Sequence, residues 1–113
     1  MINGAHVIIY SKDAEAGRNL LKDVLDFPYV DVGHDWLIFR LPPAEAAVHP
    51  SDEDDRHELF LMCDDLEGTA RDLNARGVVC EPFSAQGWGI TTRLRLPGGG
   101  TLGLYEPRHA RPP

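Results

Sequence analysis

Cysteine is scarce in this chain: Cys63 and Cys80 are the two among 113 residues. They form no C-x-x-C pair and have no His or Cys neighbour at zinc-finger distance, which argues against a disulfide framework or a zinc finger. Two buried free thiols in a reducing compartment are expected. Positive charge is also in short supply, with 11 Lys and Arg against 18 Asp and Glu and a net charge of −7. That balance disfavours nucleic acid and anionic membrane surfaces, leaving a small molecule or another protein as the expected partner. Long hydrophobic runs are missing as well. The opening MINGAHVIIYSKD has no basic stretch and its apolar run breaks within a few residues, so neither a signal peptide nor a membrane span is expected, and the cytoplasm is the expected compartment. No Gly-Lys-Ser/Thr follows the glycines of PGGG (97–100), and the next segment reads as a strand, so a hairpin turn is expected there instead of a phosphate loop. No Ser/His/Asp or Cys/His arrangement is specific enough to indicate nucleophilic catalysis.

What is present is an ordinary globular composition, 42% hydrophobic and 26% charged, at the length of one domain. The pattern reads as two successive units, 4–50 and 57–107, within a single domain over 1–113. In the first, GAHVIIYS (4–11) is a β-branched strand, and KDAEAGRNLLKDVLDF (12–27) switches to helical spacing, with Asp13 placed to cap it and Pro28 to stop it. YVDVG (29–33), DWLIFRL (35–41) and AEAAVH (44–49) follow as short extended segments split by a Gly-His-Asp turn and by Pro42-Pro43. The acidic SDEDD (51–55) reads as a solvated linker. HELFLMC (57–63) then begins the order again. DDLEGTARDLNARG (64–77) is a helix with Asp64 and Glu67 at capping-box spacing and Gly77 at its end. VVCEPF (78–83), ITTRLRL (90–96) and TLGLYE (101–106) are three more strands, separated by SAQGWG and PGGG.

Specific echoes support a true repeat. His6 opens the first unit and His57 the second, and an aspartate, Asp13 or Asp64, stands seven positions after each. Arg40-Leu41-Pro42 recurs as Arg95-Leu96-Pro97, and Val48-His49-Pro50 matches Tyr105-Glu106-Pro107. A β-α-β-β-β unit of this size cannot bury both faces of its sheet, so two units are expected to pair. The expected fold class is α+β, with a curled mixed sheet around a shared cavity and the helices on its outer face.

The paired units, the opening HVIIYSKD, the HELFLMCDDLE start of the second unit, the GWG before the seventh strand and the LPGGGTLGLYEP ending together resemble the vicinal oxygen chelate superfamily of glyoxalases, bleomycin-resistance proteins and extradiol dioxygenases. In its metal-dependent members the resemblance implies one ligand near the start of the first strand of each unit and one on the last strand of each unit. His6 and His57 fall on the first pair of positions, where imidazole suits Zn, Ni, Fe or Mn. Gly103, where the resemblance implies an acidic ligand, and, through the repeat, Ala46 fall on the second pair, and neither has a side chain that binds metal. In another register of the first unit, Glu45 or His49 faces inward and makes a His6, His49, His57 site.

Alternation places Ile8 and Tyr10 on the side of His6, and Leu59, Leu61 and Cys63 on that of His57. With Tyr105 and Val48 added, the lining is mostly apolar and suits an apolar or aromatic ligand. Trp88, between glycines, is placed to stack on a ligand at the cavity mouth or to anchor a subunit interface, and Arg93 and Arg95 share one strand face that suits a carboxylate or open solvent. The expected function is a ligand-binding or sequestering role of the glyoxalase/bleomycin-resistance type, or metal-independent chemistry, in a homodimer whose metal site is incomplete; the expected cofactor is a divalent metal (Zn, Ni, Fe or Mn) or none. The alternative is a divalent-metal glyoxalase-like lyase or extradiol-type dioxygenase using His6 and His57 with His49 or Glu45.

Overall fold

A computed structural model describes residues 6–34, 36–48, 50–110 and 112. Asp13 opens the first helix as its position predicts: its Oδ1 accepts the Ala16 N–H at 3.1 Å. Helix α1, Ala14–Asn19, runs on as a π-helical stretch, Leu20–Val24, which buries Leu20. The helical path ends before Pro28, at Asp26, whose φ of 60° is left-handed. Its last carbonyls are capped from the second unit, because the Arg76 guanidinium donates to the Val24 and Asp23 carbonyls at 3.0 Å each.

Strands β1, Tyr29–Asp31, and β2, Leu37–Phe39, form an antiparallel hairpin. The Asp31 carboxylate closes its turn by accepting the Gly33 N–H at 2.8 Å. The other two strands expected in this unit do not form among the described residues: 6–11 and 44–48 carry no strand pairing. His49, one of the expected metal ligands, lies outside the described residues, as does Asp35.

The second unit is more complete. Strand β3, Phe60–Met62, leads into α2, Leu66–Ala75, followed by β4, Ser84–Gln86, β5, Gly89–Arg95, and β6, Thr101–Pro107. Their sheet order is β3-β6-β5-β4, with β3 and β6 parallel and the other pairs antiparallel. The N-cap of α2 is Asp65, one residue later than the capping box centred on Asp64 implies. Asp65 is the extended residue, with φ −139°, and its Oδ1 accepts the Gly68 N–H at 3.1 Å. Glu67 instead pairs with Arg71 one turn on, at 3.5 Å. The strand expected over 78–83 reduces to a bridge between Cys80 and Leu94, beyond which the register against β5 shifts by one residue. Pairing resumes as β4 inside the stretch expected to be a separator. PGGG makes the expected turn, with φ of 83°, 103° and 80° at Gly98, Gly99 and Gly100.

One core serves both units. Leu66 and Leu73 of α2 pack with Val78, Leu94, Leu102 and Leu104, and Leu20 of the first unit joins them. The first unit's two paired strands are three residues each, too narrow a face to cover Leu20, so its helix turns to the larger sheet. The α+β class with mixed sheets is as expected, whereas the described residues do not form the one curled sheet around a shared cavity. The two- and four-stranded sheets are separate, neither closes, and both helices share the second unit's core. Among the described residues no helix is long and apolar enough to cross a membrane.

Candidate functional site

The register of β3, β6 and β5 sorts side chains onto two faces. Phe60 lies opposite Gly103 and Met62 opposite Tyr105 across the parallel pair, while Arg93 faces Gly103 and Thr91 faces Tyr105 across the antiparallel one. Leu61, Leu94 and Leu104, one residue out of phase, turn to the core beneath α2. The other face therefore carries Phe60, Thr91, Arg93, Gly103 and Tyr105.

Gly103 is the key to this face. A Cβ built on it would run into the Phe60 ring, at 2.7 Å from Cε1 and 2.8 Å from Cγ. The ring lies flush on the β6 backbone, a close approach that glycine allows. Tyr105 meets Phe60 edge-on at a centroid distance of 5.7 Å and Trp88 at 5.5 Å, giving a three-ring cluster. The Arg93 guanidinium lies over Phe60, 5.3 Å from its centroid, and pairs with Glu58 at 2.5 Å. Glu58 also accepts from Arg56 at 3.0 Å, so one carboxylate is shared by two guanidinium groups. At the other end, the Tyr105 hydroxyl donates to Glu45 Oε1 at 2.9 Å, with His109 Nε2 at 3.4 Å from that hydroxyl and 3.6 Å from the carboxylate. Beside Phe60 and Arg93 lies a shallow depression of about 180 Å³, walled also by Glu81, Pro82, Ser84 and Thr91.

Of the residues singled out from sequence, Trp88 and Tyr105 meet in this cluster. Leu59 and Leu61 pack against the core, with Cys63, on the helix-covered face. Burial pushes the thiols of both Cys63 and Cys80 up from their ordinary value. Tyr10 is 88% exposed. His6 and His57 are exposed in segments without regular structure, and Ala46 is exposed as well. Phe60, Glu58 and His109 were not singled out. The signal for Phe60 was the glycine inside a strand pattern, which marks a close approach but does not say by what.

The fit of a metal can be judged from the same geometry. Two of the four positions the resemblance implies, Ala46 and Gly103, offer no donor atom, and the space above Gly103 holds an aromatic ring. Among the described residues no group of three or more His, Cys, Asp or Glu side chains is arranged to hold a metal ion. At these two positions the side chains present do not fit the metal ligands that the resemblance implies.

The sequence matches no family model and no curated protein. Its structure does match solved ones along nearly their full length. The chain has the glyoxalase/bleomycin-resistance fold. A lactoylglutathione lyase from Agrobacterium tumefaciens superposes with a TM-score of 0.65 at 14% identity, over 92% of each chain. TnmS3, an antibiotic binding protein from Streptomyces sp. CB03234, gives 0.61 at 20% identity, over 95% of this chain and 99% of that one. A member of the glyoxalase/bleomycin resistance protein/dioxygenase superfamily from Sphaerobacter thermophilus DSM 20745 gives 0.61 at 24%, over 93% and 98%. The glyoxalase/bleomycin-resistance fold thus hosts both a lyase and a binding protein.

Proposed function

We propose that the chain is a small-molecule-binding protein of the glyoxalase/bleomycin-resistance type, which holds an apolar or aromatic ligand against Phe60, Trp88 and Tyr105 without a resident metal. The observation that carries this reading is the Phe60 ring seated on Gly103. An aromatic surface stands where the resemblance implies a metal-binding carboxylate, and such a surface rewards a flat apolar ligand. The antibiotic-binding neighbour TnmS3 supports the same reading.

The functional unit in this reading is a homodimer. Val7, Ile8, Ile9 and Tyr10 are exposed along one segment, as are Val30 and Trp36 on the β1-β2 hairpin. Strand β3 stands at one end of its sheet. Apolar surface and an open strand edge are what a second copy covers.

Calorimetry and tryptophan fluorescence with a panel of aromatic ligands test the binding, with sedimentation equilibrium for the dimer. Saturable binding that weakens roughly ten-fold in Trp88→Ala or Phe60→Ala is expected from the loss of one ring contact. Metal analysis after incubation with Zn, Ni, Fe or Mn is the counter-test. Stoichiometric metal that disappears in His57→Ala would replace this reading with the lyase or dioxygenase alternative.

A further inference from the structure

We propose that the depression beside Phe60 takes a single-ring aromatic carboxylate, with its ring against Phe60 and its carboxylate on Arg93. This rests on the ligand-binding reading above and names the ligand's chemical class.

Three observations lead there. The first is charge. Glu58 is shared between Arg56 and Arg93, so the cluster keeps one net positive charge in a chain whose total is −7. That charge stands over an aromatic ring on an open sheet face. The second is donor capacity. A guanidinium carries five N–H donors in one plane. On Arg93, Glu58 takes a donor at Nη2, and Thr101 Oγ1 lies at a long 3.4 Å from Nη1, which leaves donors for an incoming carboxylate. The third is size. At about 180 Å³ the depression is smaller than a site for a drug-sized ligand, which runs to roughly 300 Å³ or more, so a single ring fits and a fused polycycle does not. Pro82 adds apolar lining to that of Phe60, and the hydroxyl-bearing Ser84 and Thr91 can take a polar ring substituent.

Glu81 also borders the depression and opposes an anion there. Its charge is the reason the class is a monoanion and not a dicarboxylate, and it supplies a second handle on the proposal.

The test compares benzoate, benzamide and benzylammonium, matched in shape and different in charge, by protein-observed NMR titration of the full chain. Benzoate is expected to bind about ten-fold more tightly than benzamide, the margin of one charge-assisted contact. Arg93→Met keeps an aliphatic stem over Phe60 and is expected to erase that preference by weakening benzoate far more than benzamide. Glu81→Gln and Glu58→Gln, at positions outside the core, are expected to strengthen benzoate, and they keep the inference testable if the Arg93 variant does not fold. Equal affinity for benzoate and benzamide, or tightest binding of benzylammonium, overturns the inference and leaves the ligand-binding reading standing. Failure of all three while larger neutral aromatics bind also overturns the class alone. Failure of every aromatic ligand overturns both.

Discussion

Placing one methyl group on Gly103 tests the geometry on which the site depends. In the native chain a Cβ at this position would lie within van der Waals overlap of the Phe60 ring, at 2.7 and 2.8 Å from Cε1 and Cγ. The ring cannot simply step aside, since Arg93 lies over it and Tyr105 meets its edge. Overpacking of this kind costs about 1 to 3 kcal/mol. Acting against it, alanine in a strand interior loses less conformational freedom on folding than glycine, a gain of about 0.5 to 1 kcal/mol. Gly103→Ala should therefore destabilise by roughly 1 to 2 kcal/mol, the clash outweighing the gain. With Phe60→Ala already in place the clash is gone and the gain remains, so the same substitution should become stabilising by about 0.5 kcal/mol. Urea denaturation of the wild type, both single variants and the double variant measures all four corners of this cycle, and a coupling of at least about 1 kcal/mol is expected. Additive effects, or a Gly103→Ala that is neutral in the native background, would refute the seating of Phe60 on Gly103. The site argued from it would fall with it.

Two further outcomes follow from the second unit. Asp65→Ala should cost about 1 kcal/mol of stability through the lost cap on Gly68, while Asp64→Ala should be near neutral; thermal melts of the pair distinguish the two aspartates. The thiols of Cys63 and Cys80 are both raised by burial, so in this range the folded chain holds protons that the unfolded chain has released. Their contribution is complete below the unfolded thiol's value and is lost as pH rises through the folded one. Denaturation midpoints should fall on the alkaline side of about pH 8.5, and the fall should be reduced in a Cys63→Ala, Cys80→Ala variant.

Much of the architecture was legible in the chain. The helix over 12–27, the second-unit helix ending at Gly77, the PGGG turn and the strands around Leu94 and Leu104 all have strong local signals: apolar periodicity, a capping aspartate, or glycines that accept left-handed backbone. The segments at 6–11 and 44–48 have a strand-like composition, but pairing needs a partner edge, and nothing local supplies one. The shift from Asp64 to Asp65 is of the same kind, since adjacent aspartates are chemically alike and the chain's entry angle chooses between them.

The site shows the same division. Alternation in HELFLMC fixes that Leu59, Leu61 and Cys63 share one face and that Phe60 and Met62 share the other. Which face meets the helix is a tertiary matter, and packing gives the leucines to the core beneath α2 and the phenylalanine to the open side. Sequence alone determined the order of the strong local elements, the net charge of −7, and a glycine where the resemblance implies a metal-binding carboxylate. Tertiary structure decided what uses that glycine, because a parallel pairing between strands some forty residues apart sets Phe60 opposite Gly103 and lets the ring lie on bare backbone.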